Sequence, residues 1–222
     1  MISHNIHSIL NDIPEHVILV AASKGKTAKD IEEAISSGIK FMGESYIQEA
    51  ENKILSVGRD KVTWHMIGHL QSKKVKKAVQ LFDMIESIDS FKLASAVSEA
   101  CEKSGKAMPV LIEINSGEEQ NKTGIMPLET EKFIREAALL KGIKIEGIMT
   151  MGPLSDNPEE IRPYFRLTKA LFDYIKTCDI PNISMKYLSM GMSDSYKIAI
   201  EEGASIIRIG SAIFGQRVYD KN

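Results

Sequence analysis

The sequence predicts a single (β/α)8 barrel of the TIM type, an α/β fold built by residues 1–222 as one domain. Eight short apolar stretches, rich in β-branched residues or bounded by turn residues, recur along the chain. Stretches with helical spacing separate them, and strands that alternate with helices favour a parallel sheet. No change of composition divides the 222 residues, a length that is ordinary for one such barrel.

The predicted strands are short and leave room for a helix after each. They are Val17–Ala22, Ile39–Gly43, Thr63–Gly68, Met84–Ile88, Pro109–Ile114, Ile145–Thr150, Lys186–Met190 and Ser205–Gly210. Eight strand–helix units predict closure into a barrel. The alternative, an open doubly wound sheet, rarely needs so many units.

Four of the intervening stretches have a clear apolar face, and they cover residues 28–37, 90–104, 128–140 and 160–177. In the first of them, Ile31, Ala34 and Ile35 share one side of a helix. Thr27 and Asp30 have the spacing of a capping box, so we expect this helix to begin directly after Thr27.

The composition favours a soluble protein of the cytoplasm. The net charge of −2 gives no reason to expect a nucleic-acid partner, and the densest basic cluster, at 73–77, is typical of a solvated helix face. No window approaches the roughly 18 apolar residues of a membrane span. Cys101 and Cys178 lie far apart without CxxC spacing, so we expect two reduced thiols rather than a disulfide or a metal site.

A barrel carries its chemistry where the strands end and the following loops begin. The polar residues at these eight ends are Ser23–Lys24, Gly43–Ser45, Gly68–His69, Glu86–Ser87, Asn115–Ser116, Thr150–Gly152, Gly191–Ser193 and Gly210–Ser211. The functional residues are expected among them.

Lys24 is the first of these, in the segment VAASKGKT at 20–27. The segment is not a phosphate-binding P-loop, because that motif needs a glycine five positions before Gly25 and Val20 stands there. Lys24 is therefore a solvated loop residue, a phosphate clamp or an amine for covalent chemistry. Lys26, two residues further on, is the competing amine, and we expect it to be solvated.

The ends of the last two strands are typical of a phosphate site. GMSD at 191–194 and IGSA at 209–212 place small residues and serines where helices begin, and barrels frequently bind phosphate at these two loops. The predicted ligands are Ser193, Gly210 and Ser211. The alternative is that Ser193 only caps a helix and Gly210 only turns the chain.

Arg208 is costly inside a short β-branched strand unless it is paired or faces a ligand. Alternation places it on the side of Ile206 and Gly210, which points it into the barrel mouth. The alternative is a salt bridge to Glu86, Glu113 or Glu146. Since the first and last strands are neighbours in a closed barrel, an amine, a phosphate site and an arginine together describe a site for a phosphorylated aldehyde.

The histidines and methionines are interpreted as structural. His65 and His69 stand four residues apart, but no carboxylate or cysteine pattern completes a metal site. The methionines at strands six and seven are expected to fill gaps in the core, and they are Met149, Met151, Met190 and Met192.

Seven segments together give the chain a resemblance to a known family over nearly its whole length. They are VAASKGKT at 20–27, GESYIQEA at 43–50, WHMIGHLQSKK at 64–74, INSGEEQNKTG at 114–124, GIMTMGP at 147–153, LSMGMSDSY at 188–196 and RIGSAIFGQR at 208–217. The chain resembles the YggS/PROSC family of pyridoxal phosphate homeostasis proteins. The barrel of that family resembles the N-terminal domain of alanine racemase, a fold type III PLP protein.

The resemblance implies that Lys24 holds pyridoxal 5′-phosphate (PLP) as a Schiff base. It implies that Ser193, Gly210 and Ser211 hold the phosphate and that Arg208 faces the pyridine nitrogen. A protein of this family would buffer PLP or deliver it to apoenzymes, without clear catalytic turnover, and we expect it to be a monomer.

Three positions depart from the family pattern. Ser45 and Lys73 stand where the family usually has asparagine, and Ser195 stands where it usually has aspartate. We expect an altered contact near the cofactor at Ser45, and little effect at the other two because they lie at helix starts.

Two alternatives to a carrier remain. A small PLP-dependent racemase needs acid–base groups on both faces of the substrate carbanion, and beyond Lys24 the only late candidate is Tyr219, in a predicted tail. An arginine at the ring nitrogen also makes the cofactor ring a weaker electron sink than a carboxylate partner would. The other alternative is a barrel that binds a phosphate metabolite without a covalent bond.

Overall fold

A computed structural model describes residues 1–153, 155 and 157–216 and confirms the barrel. Its eight strands pair in parallel and in sequential order, and the last closes on the first. The strands are β1 Ile18–Ala22, β2 Phe41–Glu44, β3 Thr63–Met66, β4 Met84–Ile88, β5 Met108–Glu113, β6 Ile143–Met149, β7 Ile183–Ser189 and β8 Ile206–Ile209. In the closing pair, Val20 lies opposite Arg208 and Ala21 lies opposite Ile209.

The helices surround this barrel. They are α1 Ile2–Asp12, α2 Ala28–Ser36, α3 Ile47–Val57, α4 Val75–Leu81, α5 Phe91–Glu102, α6 Thr130–Ala137, α7 Arg162–Thr177, α8 Tyr196–Glu201 and α9 Ser211–Phe214. The four stretches with a predicted apolar face are confirmed as α2, α5, α6 and α7. Within the described residues, no helix is both long and apolar enough to span a bilayer.

Helix α1 was not predicted, because its apolar residues are separated by short polar stretches. Ile6 and Ile9 are nevertheless buried, and the helix packs against α2 and α9. The Asn5 side chain donates to the carbonyl of Ile213 at 2.9 Å, which ties α1 to the short helix after the last strand. The isoleucine spacing in this segment was the available signal.

The strand boundaries differ most from the prediction at β7, which begins three residues earlier than expected, and the neighbouring β6 begins two residues earlier. Their pairing shifts register beside Gly147. A Cβ on Gly147 would lie 1.8 Å from the carbonyl oxygen of Tyr187. Only glycine therefore allows the two strands to approach this closely.

The barrel interior changes from apolar to polar toward the carboxyl ends of the strands. Its apolar cluster is formed by Val20, Met84, Leu111, Met149 and Ile206. Two residues beyond Met84, Leu111 and Ile206, on the same face, stand Glu86, Glu113 and Arg208, and Ser189 follows Tyr187, which packs against this cluster, in the same way. All four are buried. The polar ends of these strands form the floor of the barrel mouth, where a site is expected.

The predicted capping box at the start of α2 is confirmed. The Thr27 hydroxyl accepts from the Asp30 backbone N–H at 3.2 Å, and the Asp30 carboxylate accepts from the Thr27 backbone N–H at 2.8 Å. Thr27→Ala should lower the free energy of unfolding by about 1 kcal/mol, because the first turn loses its side-chain acceptor. Urea denaturation measures this, and Thr27→Ser, which keeps a hydroxyl, should avoid most of the loss of stability. Equal destabilisation by both variants would contradict the cap.

Candidate functional site

The five residues predicted as ligands come together in one cleft at the carboxyl end of the barrel. The cleft has a volume of about 370 Å³, which lies in the usual range for small-molecule sites. Its lining includes Lys24, Ser193, Arg208, Gly210 and Ser211. Closure of β8 on β1 brings residues nearly two hundred positions apart into this arrangement.

Lys24 follows the end of β1 and is half-buried. Its Nζ donates to the Tyr46 hydroxyl at 2.9 Å and lies 4.5 Å from the centre of the Tyr46 ring. Sequence reasoning missed Tyr46, although it lies in the segment GESYIQEA. Its position in the loop directly after β2, next to β1, was the signal that could have found it.

Lys26 also borders the cleft, but its amine is hydrogen-bonded to the backbone of α9. The Nζ of Lys26 donates to the backbone carbonyl of Phe214 at 3.0 Å. The prediction that Lys26 is solvated was wrong, since the side chain is half-buried against α9. Of the two competing amines, Lys24 is the one not held by backbone carbonyls.

The segment that carries Lys24 is anchored from behind by a buried charged cluster that was not predicted. Lys53 of α3 donates to the Ser23 carbonyl and forms ion pairs with Glu44, at 2.8 Å, and Glu49, at 2.6 Å. The Ser23 hydroxyl donates to Glu44. Burial raises the pKa of Glu44, and the Lys53 charge opposes this effect.

Ser193 links the loop after β7 to the start of α9. Its hydroxyl accepts from the Ala212 backbone N–H at 3.2 Å, while it also lines the cleft. Helix α8 begins directly after Ser195, whose hydroxyl accepts from the Met192 backbone N–H at 3.1 Å. The alternative hypothesis was that Ser193 only caps the helix that follows it. The structure shows that Ser193 does not cap that helix.

Gly191 has a backbone conformation that explains the glycine in this loop. Its φ is +93°, and a Cβ would lie 2.5 Å from the Cβ of Ala199. Its carbonyl accepts from the Arg208 backbone N–H at 3.0 Å, which ties this loop to β8. Gly210 has a negative φ of −115°, so it does not need glycine for its turn.

Arg208 was predicted either to face a ligand or to form a salt bridge with a glutamate. The structure shows both features, because the side chain lines the cleft and also pairs with a buried carboxylate. Arg208 is 3% exposed. Its guanidinium donates to the Ser189 hydroxyl and, at 2.8 Å, to the Thr150 carbonyl, and it lies 3.8 Å from a carboxylate oxygen of Glu86. Of the three glutamates considered, Glu86 is the ion-pair partner.

Glu86 is the centre of the polar floor. Its carboxylate lies 2.6 Å from Nδ1 of His65 and accepts from the Ser189 hydroxyl at 2.6 Å. Burial acts to raise the pKa of Glu86, but the bond and charge of His65, together with Arg208, outweigh it and lower the pKa. Burial lowers the pKa of Arg208, against the opposing charge of Glu86. His65 is thus a structural histidine, as interpreted, that supports the arginine through Glu86.

The other strand-end residues are distributed around the mouth. His69 is half exposed, with Nδ1 3.0 Å from Asp89. Met149 and Met190 are buried as expected. The prediction that Met151 and Met192 fill core gaps was wrong: both follow strand ends and line clefts at the mouth.

Of the three departures from the family pattern, only Ser45 borders a cleft beside Lys24. Lys73 is exposed in the turn before α4, and Ser195 lies directly before α8. Tyr219, the late acid–base candidate, lies outside the described residues. Among the described residues, no group of three or more histidine, cysteine or acidic side chains could hold a metal ion.

Glu113, which belongs to this floor, gives a pH prediction. Burial raises its pKa, so the fold favours the protonated form and ionisation costs stability as the pH rises through that pKa. Glu113→Gln cannot ionise and can still accept from Thr123 Oγ1, which bonds Glu113 at 2.9 Å. The stability of this variant relative to wild type should rise from pH 4 to pH 7. Chemical denaturation at both pH values measures it, and a difference that stays flat or falls would contradict the raised pKa.

The fold agrees with comparisons to known proteins. Residues 1–218 match the family model of the alanine racemase N-terminal domain. The pyridoxal phosphate homeostasis protein of Aquifex aeolicus is 37% identical, over 90% of this chain and 87% of the relative. The Synechocystis protein of that name is 37% identical, over 98% of this chain and 100% of the relative.

A solved structure of PipY from Synechococcus elongatus with PLP bound is similar along its whole length. Its TM-score is 0.89 at 30% identity, with 97% of this chain and 100% of that chain covered. The chain therefore belongs to the alanine racemase N-terminal domain family and, within it, to the pyridoxal phosphate homeostasis proteins.

Proposed function

We propose that this protein binds PLP at the carboxyl end of the barrel and buffers or delivers it inside the cell. The observation that carries the proposal is the single cleft that unites Lys24 with Ser193, Arg208, Gly210 and Ser211. Membership of the homeostasis family supports the cofactor, and so does PipY, whose structure has PLP bound. The residues of the cleft fit a phosphorylated aldehyde, since they offer a primary amine, a guanidinium and two hydroxyls in a space of suitable volume.

When bound, PLP supplies an aldehyde carbon that condenses reversibly with a primary amine. Lys24 provides that amine, held half-buried beside Tyr46 at the cleft wall. Ser193, Ser211 and the backbone at Gly210 would hold the phosphate where the loops after β7 and β8 meet. Ser193 is already fixed by its bond to Ala212.

Arg208 would face the ring nitrogen and favours storage over turnover. A guanidinium only donates hydrogen bonds, so it supports an unprotonated ring nitrogen. An unprotonated ring withdraws electrons weakly, and carbanion chemistry is disfavoured while exchange of amines is not. A hydrogen bond to Ser189 and an ion pair with Glu86 hold the arginine in the cleft wall.

The proposal includes a monomer in the cytoplasm that hands PLP to apoenzymes. The monomer is supported by the cleft, whose five predicted ligands come from one chain. The reducing compartment is supported by Cys101 and Cys178, which are both free thiols. Light scattering after size exclusion tests the monomer, and a dimer mass would remove that part of the proposal.

Borohydride reduction of the PLP-loaded protein, followed by peptide mass mapping, tests the function. We expect one pyridoxyl adduct, on Lys24 and not on Lys26. Bound PLP with an unmodified Lys24 would favour binding of a phosphate compound without a covalent bond. Incubation with single amino acids is a second test, and inversion of chirality that depends on Lys24 would favour the racemase instead.

A further inference from the structure

Lys24 also borders a second cleft, on the side of the loops after β2 and β3. This cleft has a volume of about 380 Å³. Residues that form its walls are Ser45, Tyr46, Gly68, His69, Lys74 and Met151. None of these six belongs to the lining of the first cleft, and Lys24 lines both clefts.

The wall of the second cleft is built by two loops in direct contact. A Cβ on Gly68 would lie 2.7 Å from the Cα of Ser45, so only glycine allows the loops to pack this closely. The Gly68 carbonyl accepts from the Ser87 hydroxyl at 2.6 Å, which fixes the loop after β3 to the end of β4. The space is therefore formed by the fold before any ligand enters it.

The charges at the second cleft suit an anion. Lys74 is half-buried, and its Nζ donates to the neutral side-chain oxygen of Gln48 at 3.0 Å. In the part of the chain that the structure describes, neither Lys74 nor Lys24 is in an ion pair. Two ammonium groups on one small space, without a carboxylate partner, favour a ligand that brings its own negative charge.

Met151 is a second link between the walls of the two clefts. Met151 borders the second cleft, and its sulfur accepts from the Arg208 guanidinium of the first cleft at 3.3 Å. A molecule in the second cleft would therefore border Lys24 on the side of the loops after β2 and β3, away from the loops after β7 and β8.

We propose that the second cleft receives an α-amino acid, whose carboxylate binds near Lys74 and whose amine replaces Lys24 on the cofactor. This inference rests on the proposed function. In the exchange, a carbon–nitrogen bond forms to the incoming amine and the bond to Lys24 breaks. The proton that the incoming amine loses ends on the Lys24 nitrogen. No oxidant or other reactant is needed, and the cofactor leaves together with the amino acid.

The test compares alanine with ethylamine, which has the same carbon chain without the carboxylate. The PLP-loaded protein is mixed with each, and the loss of cofactor absorbance from the protein is followed by rapid mixing and gel filtration. Per unprotonated amine, we expect alanine to release the cofactor about fivefold faster, the size of one partly exposed ion pair. Lys74→Gln should abolish this preference, while the neighbouring exposed Lys73→Gln should keep it.

A second measurement does not depend on release. After borohydride reduction the cofactor cannot leave, and binding of alanine is then observed by saturation-transfer NMR. We expect a signal in the wild type and in Lys73→Gln, and its loss in Lys74→Gln. A Lys24 adduct with equal rates for the two amines and no Lys74-dependent signal would overturn this inference and leave the proposed function intact. Absence of the Lys24 adduct would overturn both.

Discussion

Lys24→Ala is expected to abolish the pyridoxyl adduct completely after borohydride reduction. The variant has no amine at the junction of the two clefts, and the Lys26 amine is held by the Phe214 carbonyl at 3.0 Å. The yellow absorbance of the bound cofactor should disappear with the adduct. Some PLP can remain without a covalent bond, because Ser193, Ser211 and Arg208 are unchanged. Mass spectrometry of the reduced protein and the absorbance spectrum after dialysis measure the two effects.

Lys26→Ala is the matched control for this prediction. It removes an equivalent amine from the same loop and should retain the adduct on Lys24. A Lys24→Ala protein that stays as yellow as wild type after dialysis would contradict the assignment, and an adduct lost only in Lys26→Ala would move it to that residue.

Lys53→Met is expected to lower the free energy of unfolding by about 3–5 kcal/mol, because removal of one partner leaves a buried charge uncompensated. The uncompensated group is Glu44, which is 0% exposed and lies 2.8 Å from the Lys53 amine. The Ser23 carbonyl, next to Lys24 in the chain, loses its donor as well. The variant should therefore also retain PLP less tightly. Chemical denaturation and the rate of cofactor loss in dialysis measure the two consequences.

Two further variants separate burial from charge. Lys77→Met breaks the ion pair between Lys77 and Glu51, whose side chains are 42% and 36% exposed, respectively. This variant should lower the free energy of unfolding by at most about 1 kcal/mol. Adding Glu44→Gln to Lys53→Met should recover part of the loss, since the buried carboxylate is then absent. If Lys53→Met lowers the free energy of unfolding no more than Lys77→Met does, the buried cluster does not stabilise the fold.

The barrel could be predicted because strands and helices have periodicities that short segments display directly. All eight strands were found, and the largest boundary error, at β7, lies where a register shift beside Gly147 changes the pairing with β6. Such a shift depends on the neighbouring strand, which local sequence does not specify. Helix α1 was missed even though its isoleucines are spaced as in an amphipathic helix.

The candidate ligands were found because a barrel places strand ends together whatever the sequence between them. Their supporting residues were not found, because each acts through a partner distant in sequence. Lys53 of α3 appears in the sequence as one more helical lysine, and only its contacts with Ser23 and Glu44 reveal its position behind Lys24. Glu86 was named as one candidate partner of Arg208, but nothing local distinguished it from Glu113 or Glu146.

The amino-acid pattern was sufficient for the barrel, for the strand ends that carry Lys24 and Arg208, and for the family. Packing between loops decided the rest: which amine stays available, which glutamate pairs with the arginine, and that Lys24 borders two clefts. The reason is that strand periodicity arises from neighbours along the chain. A cleft and a buried ion pair arise from groups that meet only when β8 closes on β1 and the loops after β2 and β3 pack together.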